Sequence, residues 1–417
     1  MSWVDTRIRF VAELNPSIRS DLLADLSKEV SFLPMEAVGE DGSLDLSRSR
    51  MIGEVRNGFS YFEDGDVTIA KVTPCFENGK GALMCGLKGG AGFGTTELTV
   101  LRPLPGISGR FLRYFLSSAA FKADAVGAMT GAGGLKRVPD WFVRDYKASW
   151  PSTTEQERIA NFLDEKIARI DALIAEKCAL VDRLKEYRQS VATSAVMHGI
   201  PGAHNEFTHH PFLGKIPKHW KTGKFRHYVH FRSGQVDPES AEYSGMVLVA
   251  PNHIESGTGR LLDTESAAEQ AAISGKYWCD AGDVIYSKIR PGLRKVVVAP
   301  FDCLCSADMY PLKGLESLTN QYLFWYLLSE PFSVFAVQES MRVAMPKLNR
   351  ETMADAVVPL PSRAEQAQIV HYVQSAITAI DSVVLPALEH IDRLREYRSS
   401  LISAAVTGQL DISEGSC

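Results

Sequence analysis

The stretch RLKEYRQS, residues Arg183–Ser190, returns as RLREYRSS at Arg393–Ser400, an offset of 210 residues. Glu155 and Gln156 return as Glu365 and Gln366 at the same offset, so the two copies stay in register over a long segment. Working outward from them, each copy lies at the end of a long amphipathic pattern, and each pattern follows a globular stretch. Two related halves of this kind read as a pseudo-twofold repeat.

The first pattern opens after Pro151, where Ser152, Thr153 or Thr154 can cap a helix and Glu155 and Glu157 suit its first turn. Its apolar positions are Ile159, Leu163, Ile167, Ile170, Leu173, Ile174, Leu180, Val181, Leu184, Tyr187 and Val191, mostly three or four residues apart. That spacing predicts a helix from about Thr154 to Met197, on the order of 65 Å long. The second pattern, from about Arg363 to Val406, carries Ile369, Val373, Ile377, Ile380, Val384, Ile391, Leu394, Tyr397 and Leu401. Two stripes of matched length predict antiparallel pairing within one chain. Pro386 predicts a kink near Val383 and no domain break.

The globular stretches read as mixed α/β. Asp66–Val72, Glu97–Leu101, Gly282–Ile289 and Lys295–Ala299 have strand-like patterns, whereas Arg110–Ser117 and Asn320–Ser329 read as short helices. GlyAspVal at Gly65 matches GlyAspVal at Gly282, so insertions between the halves fall in loops. Gly199–Phe212, rich in Gly, Pro and His, reads as a linker. The expected division is a first domain over 1–150, a first helix over 151–199, a second domain over 200–360, and a second helix with tail over 361–417. The fold class is α/β: two mixed α/β domains separated by two long antiparallel coiled-coil helices, in a pseudo-twofold repeat.

Composition narrows the function classes. With 417 residues and 45% hydrophobic content the chain can bury more than one core. No run approaches the roughly 18 apolar residues of a membrane span, and MSWVDTRIRF has no signal-peptide core, so a cytoplasmic protein is expected. Seven cysteines without CxxC spacing argue against a disulfide framework and against zinc, and Cys303 and Cys305 read as strand residues. The formal net charge of −5 argues weakly against nucleic acid, although local patches decide such binding. GlyGlyAlaGlyPheGly from Gly89 reads as a turn, since no GxxxxGK[ST] follows. No Asp/Asn-Pro-Pro-aromatic motif of an N6-adenine methyltransferase occurs, and His209 and His210 fall in the linker. Neither a cofactor nor a metal site is expected.

Taken together, the repeats resemble the DNA-specificity subunit of a type I restriction-modification enzyme. The resemblance rests on PSTTEQERI at Pro151 and PSRAEQAQI at Pro361, on the two Glu-Tyr-Arg phrases, and on AAVTGQLD at Ala404. KVTPCFENGKG from Lys71, GFGTTEL from Gly92 and SKIRPGLRK from Ser287 resemble domain segments of that family. The chain departs from the pattern before about Leu44, which lacks the ProxxTrp opening seen at Pro217–Trp220. The resemblance implies a non-catalytic protein in which each target-recognition domain reads one part of a bipartite asymmetric site on double-stranded DNA. It also implies that the helices hold the domains apart and dock two modification (methyltransferase) subunits that methylate adenine at N6. Two restriction (endonuclease and translocase) subunits would join the same assembly, away from any membrane.

Local charge nominates the DNA contacts. Between Lys215 and Arg232 six basic residues, Lys221 and Lys224 among them, lie without an acidic one and interleave with Trp220, Phe225, Tyr228 and Phe231. Such a segment suits either a phosphate-facing edge or a solvated edge of the domain. Lys288, Arg290, Arg294 and Lys295 form a second cluster around a Pro-Gly pair that favours a loop able to enter a groove. In the first domain the equivalents are Lys71, Thr73, Asn78 and Lys80, where an Asn could read adenine. Lys136, Arg137, Lys347 and Arg350, before the long helices, read either as contacts or as helix-start surface charge. A coiled-coil scaffold carrying two non-DNA ligand-binding modules is the alternative reading.

Overall fold

The computed structural model describes residues 3–412 apart from 133, 204–205 and 341–345. Contacts divide it into two compact units: Met1–Lys177 with Glu389–Cys417, and Cys178–Leu388. Each unit therefore contains one sheet-rich part and one stretch of each long helix. The long helices run over Thr153–His198 and Arg363–Val406.

In the first unit Val4–Arg7 pairs antiparallel with Lys147–Trp150, immediately before the first long helix. A four-stranded antiparallel sheet follows in the order Ala12–Leu14, Leu98–Pro103, Val67–Ala70, Gly81–Leu83. A second sheet runs Ser49–Met51, Glu29–Leu33, Ala91–Gly94, Ser60–Glu63, with its central pair parallel. All four residues of Val67–Ala70 are buried, which is why this strand reads as a continuous apolar run. Phe111, Phe115, Phe121 and Trp150 then pack on Ile159, Leu163, Ile167 and Ile170 of the first long helix and on Leu401, Ile402 and Val406 of the second. Each such side chain contributes on the order of 1.5–3 kcal/mol by leaving water.

The second unit repeats this plan. Lys221–Lys224 pairs with Val357–Leu360, and a sheet runs Val229–Phe231, Met309–Gly314, Val284–Ser287, Val296–Val298. Its other sheet, Gln235–Val236, Lys276–Cys279, Cys303–Cys305, Leu248–Val249, again contains one parallel pair. Phe225, Tyr286, Tyr322, Tyr326 and Phe332 receive Ala192, Ala195 and Val196 from the end of the first long helix and Ile369, Val373 and Ile377 from the start of the second.

Antiparallel pairing of the helices follows from one contact in each unit. Arg398 holds Asp171 (2.8 and 3.2 Å), and Arg188 holds Asp381 (3.5 Å). Both residues of one pair stand 210 positions from their counterparts in the other, the offset of the repeated phrases. The Glu-Tyr-Arg phrase thus carries the arginine that ties one helix to its neighbour. The Glu-Gln phrase has a separate task. Gln156, 1% exposed, accepts from Ser108 N (2.8 Å) and donates to Pro151 O (2.9 Å). Gln366, fully buried, accepts from Thr319 N (2.8 Å) and donates to Pro361 O (3.0 Å) and Ser317 O (2.8 Å). Each glutamine pins the first turn of a long helix to the cap of a domain helix, Gly109–Ser117 or Asn320–Leu328.

Several expectations are corrected. The repeat opens at Trp3, which stands 217 residues before Trp220, so the first domain has the starting strand that its sequence hid. Part of the expected linker is a hairpin, Phe207–His210 with Gly214–Pro217, which puts His209 and His210 on a strand. Gly89 and Gly90 form a turn with positive φ (68° and 72°), as expected, but Ala91–Gly94 continues as a strand, where a Cβ on Gly92 would lie 2.5 Å from the Phe62 ring and one on Gly94 2.5 Å from Leu33 O. Leu173, Leu180, Tyr187 and Tyr397 belong to the sequence stripes, yet they are exposed. The second long helix contains an 18-residue window apolar enough to cross a membrane by length and composition, although no contiguous apolar run predicted it. A third of that window is buried within the protein. Pro386 lies inside that helix on an exposed stretch, where a missing backbone donor leaves a carbonyl that water can reach.

Candidate nucleic-acid interface

In the first unit the strand Val67–Ala70 delivers Lys71 and Thr73 to an exposed hairpin, Thr130–Ala132 with Leu135–Arg137. Val72 bridges Arg137, Val138 N donates to Lys71 O (2.8 Å), and Thr73 N donates to Lys136 O (3.0 Å). The Thr73 hydroxyl donates to Gly134 O (3.0 Å) and accepts from Lys136 N (3.0 Å), which fixes the hairpin on the strand end. Lys71, Thr73, Lys136 and Arg137 are thereby brought together. The Arg137 guanidinium grips Glu97 through both carboxylate oxygens (2.6 and 2.9 Å), and this pairing holds the Glu97 carboxyl below its ordinary range.

The second unit builds the same junction. Leu348 N donates to Lys288 O (2.9 Å), Arg290 N donates to Pro346 O (3.0 Å), and Ile289 bridges Lys347. Arg290 and Lys347 are exposed here. Arg290 and Arg294 both adopt left-handed backbone, with φ of 47° and 48°, which an L side chain enters only at a cost. A non-glycine residue held in that region, twice in one loop, marks a turn whose shape is imposed by its surroundings.

Other nominated side chains are drawn away. Lys288 donates its ammonium to Ala307 O and lies over the Tyr310 ring at 5.3 Å, and burial pushes its pKa down. Arg294 donates to Ser333 Oγ (2.8 Å). Lys80 turns inward to Met35 O (3.1 Å), while Asn78 is exposed on the turn that donates its N–H to Pro74 O (3.0 Å). Arg350 lies over the Phe231 ring at 5.0 Å.

The basic segment Lys215–Arg232 does not gather into one patch. Lys218 pairs with Glu206 (3.1 Å), Lys224 and Arg226 share Asp355, and Arg232 pairs with Asp280 and Asp283. Lys221 stays exposed on the strand facing Leu360. Trp220, Phe225 and Phe231 are core residues, so their interleaving with cations reflects strand and turn alternation. Most cations of the segment are thus paired with acids of the protein itself. The acids that neutralise it lie outside the segment, where no local reading of charge would find them.

Asp66 and Asp283, the acids of the two GlyAspVal phrases, are 2% and 1% exposed. Asp66 accepts two hydrogen bonds from Arg102 (2.8 Å each), and Asp283 pairs with Arg232. A bidentate arginine–carboxylate pair with a buried acid thus ties strands of one sheet in each unit. Among the described residues no group of three or more His, Cys, Asp or Glu is arranged to hold a metal ion.

Residues 235–384 match the family model of the type I restriction modification DNA specificity domain. The chain is 29% identical over 284 residues to the Escherichia coli type I restriction enzyme EcoDI specificity subunit, covering 64% of this chain and 63% of that protein. It is 36% identical over 183 residues to the Escherichia coli EcoEI specificity subunit, covering 43% of this chain and 30% of that protein. It thus spans less than two thirds of the length of these relatives. Among solved structures, one described as showing complex assembly and conformational transition of the type I R-M system superposes with a TM-score of 0.76 at 17% identity, covering 98% of both chains. The HsdS subunit from Thermoanaerobacter tengcongensis gives a TM-score of 0.53 at 17% identity, covering 98% of this chain and 97% of that one.

Proposed function

Because this chain carries a type I restriction modification DNA specificity domain and shares the fold of type I specificity subunits, we propose that it selects the DNA sequence on which partner subunits act. Each globular domain, 1–150 and 200–360, reads one part of a bipartite asymmetric site on double-stranded DNA. The observation that carries this reading is the repeated junction: a strand end bearing cations (Lys71, and Lys288 with Arg290) is hydrogen-bonded at the same backbone positions to a second basic segment (Lys136–Arg137, and Lys347). Exposed cations there suit phosphate contacts, and Arg290 can reach base edges.

The chain itself is non-catalytic on this reading and works in the cytoplasm. Modification subunits that methylate adenine at N6, two by the internal symmetry, dock on the long helices, and restriction subunits complete the assembly. Tyr187 and Tyr397, 59% and 57% exposed at equivalent positions, give each of two identical partners the same apolar handle.

Methylation mapping of the reconstituted complex on random DNA tests the division of labour. Arg290→Ala with Lys347→Ala is expected to relax one half-site, and Lys71→Ala with Lys136→Ala the other. Equal relaxation of both half-sites by either pair would refute it. No sequence-dependent binding in the presence of modification subunits would leave the scaffold reading in its place.

A further inference from the structure

The internal repeat sets a cavity of the first unit beside its counterpart region in the second. In the second unit the loop closed by the Ile254–Leu261 bridge brings the carbonyls of Gly257 and Thr258 to the Arg188 guanidinium at 3.4 and 3.1 Å. Gly259 follows so closely that a Cβ there would lie 2.2 Å from the Phe324 ring. The half-buried Arg188 thus meets three protein acceptors, these two carbonyls and Asp381.

The equivalent loop of the first unit, closed by the Val38–Leu44 bridge, is one residue shorter. Its backbone pairing is the same: Gly39 N donates to Ser43 O as Glu255 N does to Arg260 O, at 2.9 and 3.0 Å. Here, however, the loop gives the Asp41 carbonyl to Arg113, the residue in the place of Phe324. Arg398, the counterpart of Arg188, keeps Asp171 as its acceptor and faces a cavity. Lys80, Arg113 and Lys122 face the same cavity, and Glu40 is the carboxylate among its lining residues. Lys122 is partly buried and, among the described residues, its ammonium donates no hydrogen bond. A Cβ on Gly79 would lie 2.8 Å from its ammonium, so glycine keeps that wall open. Burial and then Arg398 push the Lys122 pKa down, against the pull of Glu40, so a bound anion would stabilise its charged form.

We propose that this cavity is an oxyanion site that takes one phosphate group between Lys122 and Arg398, with Lys80 and Arg113 at its rim. Size sets the ligand class: the cavity measures about 40 Å³, and one water needs roughly 10–15 Å³ on that measure. A space of that size suits a single phosphate group. The phosphate is either a backbone phosphate of nucleic acid or free phosphate, which share the chemistry that arginine and lysine recognise.

Inorganic phosphate is titrated against the full chain by calorimetry, with chloride at equal ionic strength as the comparison. Phosphate binds and chloride does not; Lys122→Gln weakens phosphate by about tenfold or more, and Lys122→Arg retains it. Should Lys122→Gln fail to fold, amine labelling of the unaltered chain decides the matter: phosphate shields Lys122 from acylation, read by mass spectrometry, and chloride does not. Equal responses to the two anions, or unchanged Lys122 labelling, overturn the proposal. Added duplex DNA then identifies the source: displacement of phosphate assigns the site to the nucleic-acid backbone, and undiminished phosphate binding assigns it to the free anion. Since the first titration contains no DNA, its result stands or falls separately from the DNA-specificity reading.

Discussion

Replacing Gln366 with alanine tests whether the Glu-Gln phrase is a structural pin. The Gln366 amide accepts from Thr319 N and Thr319 Oγ1 (2.8 and 3.0 Å) and donates to Ser317 O and Pro361 O (2.8 and 3.0 Å). Truncation strands the Thr319 N–H and the carbonyl of the buried Pro361, at roughly 1–3 kcal/mol for each unsatisfied group. Ser317 is exposed, so water replaces that partner cheaply. With the void left by the lost side chain, the total is about 3–5 kcal/mol. Gln156→Ala strands the corresponding Ser108 N–H and Pro151 carbonyl but loses neither a hydroxyl donor nor a Ser317 equivalent. It should therefore cost about 1 kcal/mol less. Urea unfolding gives the totals, and amide exchange resolves them by unit, with faster exchange in Asn320–Leu328 for one variant and in Gly109–Ser117 for the other. A loss below about 1 kcal/mol for Gln366→Ala, or faster exchange in the unit not altered, would refute the pinning role.

The two inter-helix ion pairs should separate by mechanism. Asp171–Arg398 is bidentate and should show a coupling of about 1 kcal/mol in a double-mutant cycle, with Arg188–Asp381 at 3.5 Å nearer zero. Arg188→Ala alone should still cost more than Arg398→Ala, because it also strands the carbonyls of Gly257 and Thr258; the reverse order would contradict the packing described. Glu365 accepts hydrogen bonds from His219, Trp220 and Ser362. Burial pushes its pKa up, but these donors outweigh it and bring the carboxyl down from 4.5 to about 2. A depressed carboxylate pKa stabilises above the unfolded value and loses that contribution as pH falls through the folded one. The stability gap between the parent chain and Glu365→Gln should thus hold steady above pH 4.5 and narrow from there towards pH 2. A gap that widens over that range would count against the assignment.

Both long helices, the pseudo-twofold repeat and the principal strands were legible in the sequence, because helical and strand periodicities and repeated phrases are local signals. Pro386 lies within a single second helix, with no domain break there. The partners of those phrases were not legible. Arg398 meets Asp171 and Gln366 meets Thr319 across separations that only the folded chain closes. Tyr187 and Tyr397 fall on the apolar period, but helix pairing turns them outward, since periodicity defines a stripe and the neighbouring helix decides its width. Charge was the least legible property. The run of cations from Lys215 to Arg232 dissolves into pairs with Glu206, Asp280, Asp283 and Asp355, whereas Lys80, Lys122 and Arg398, far apart in sequence, meet at one cavity. Hydrophobic period is set by a residue's own element, whereas an electrostatic environment is set by whatever the fold brings within a few ångströms; the sequence alone determined the first, and only the tertiary structure decided the second.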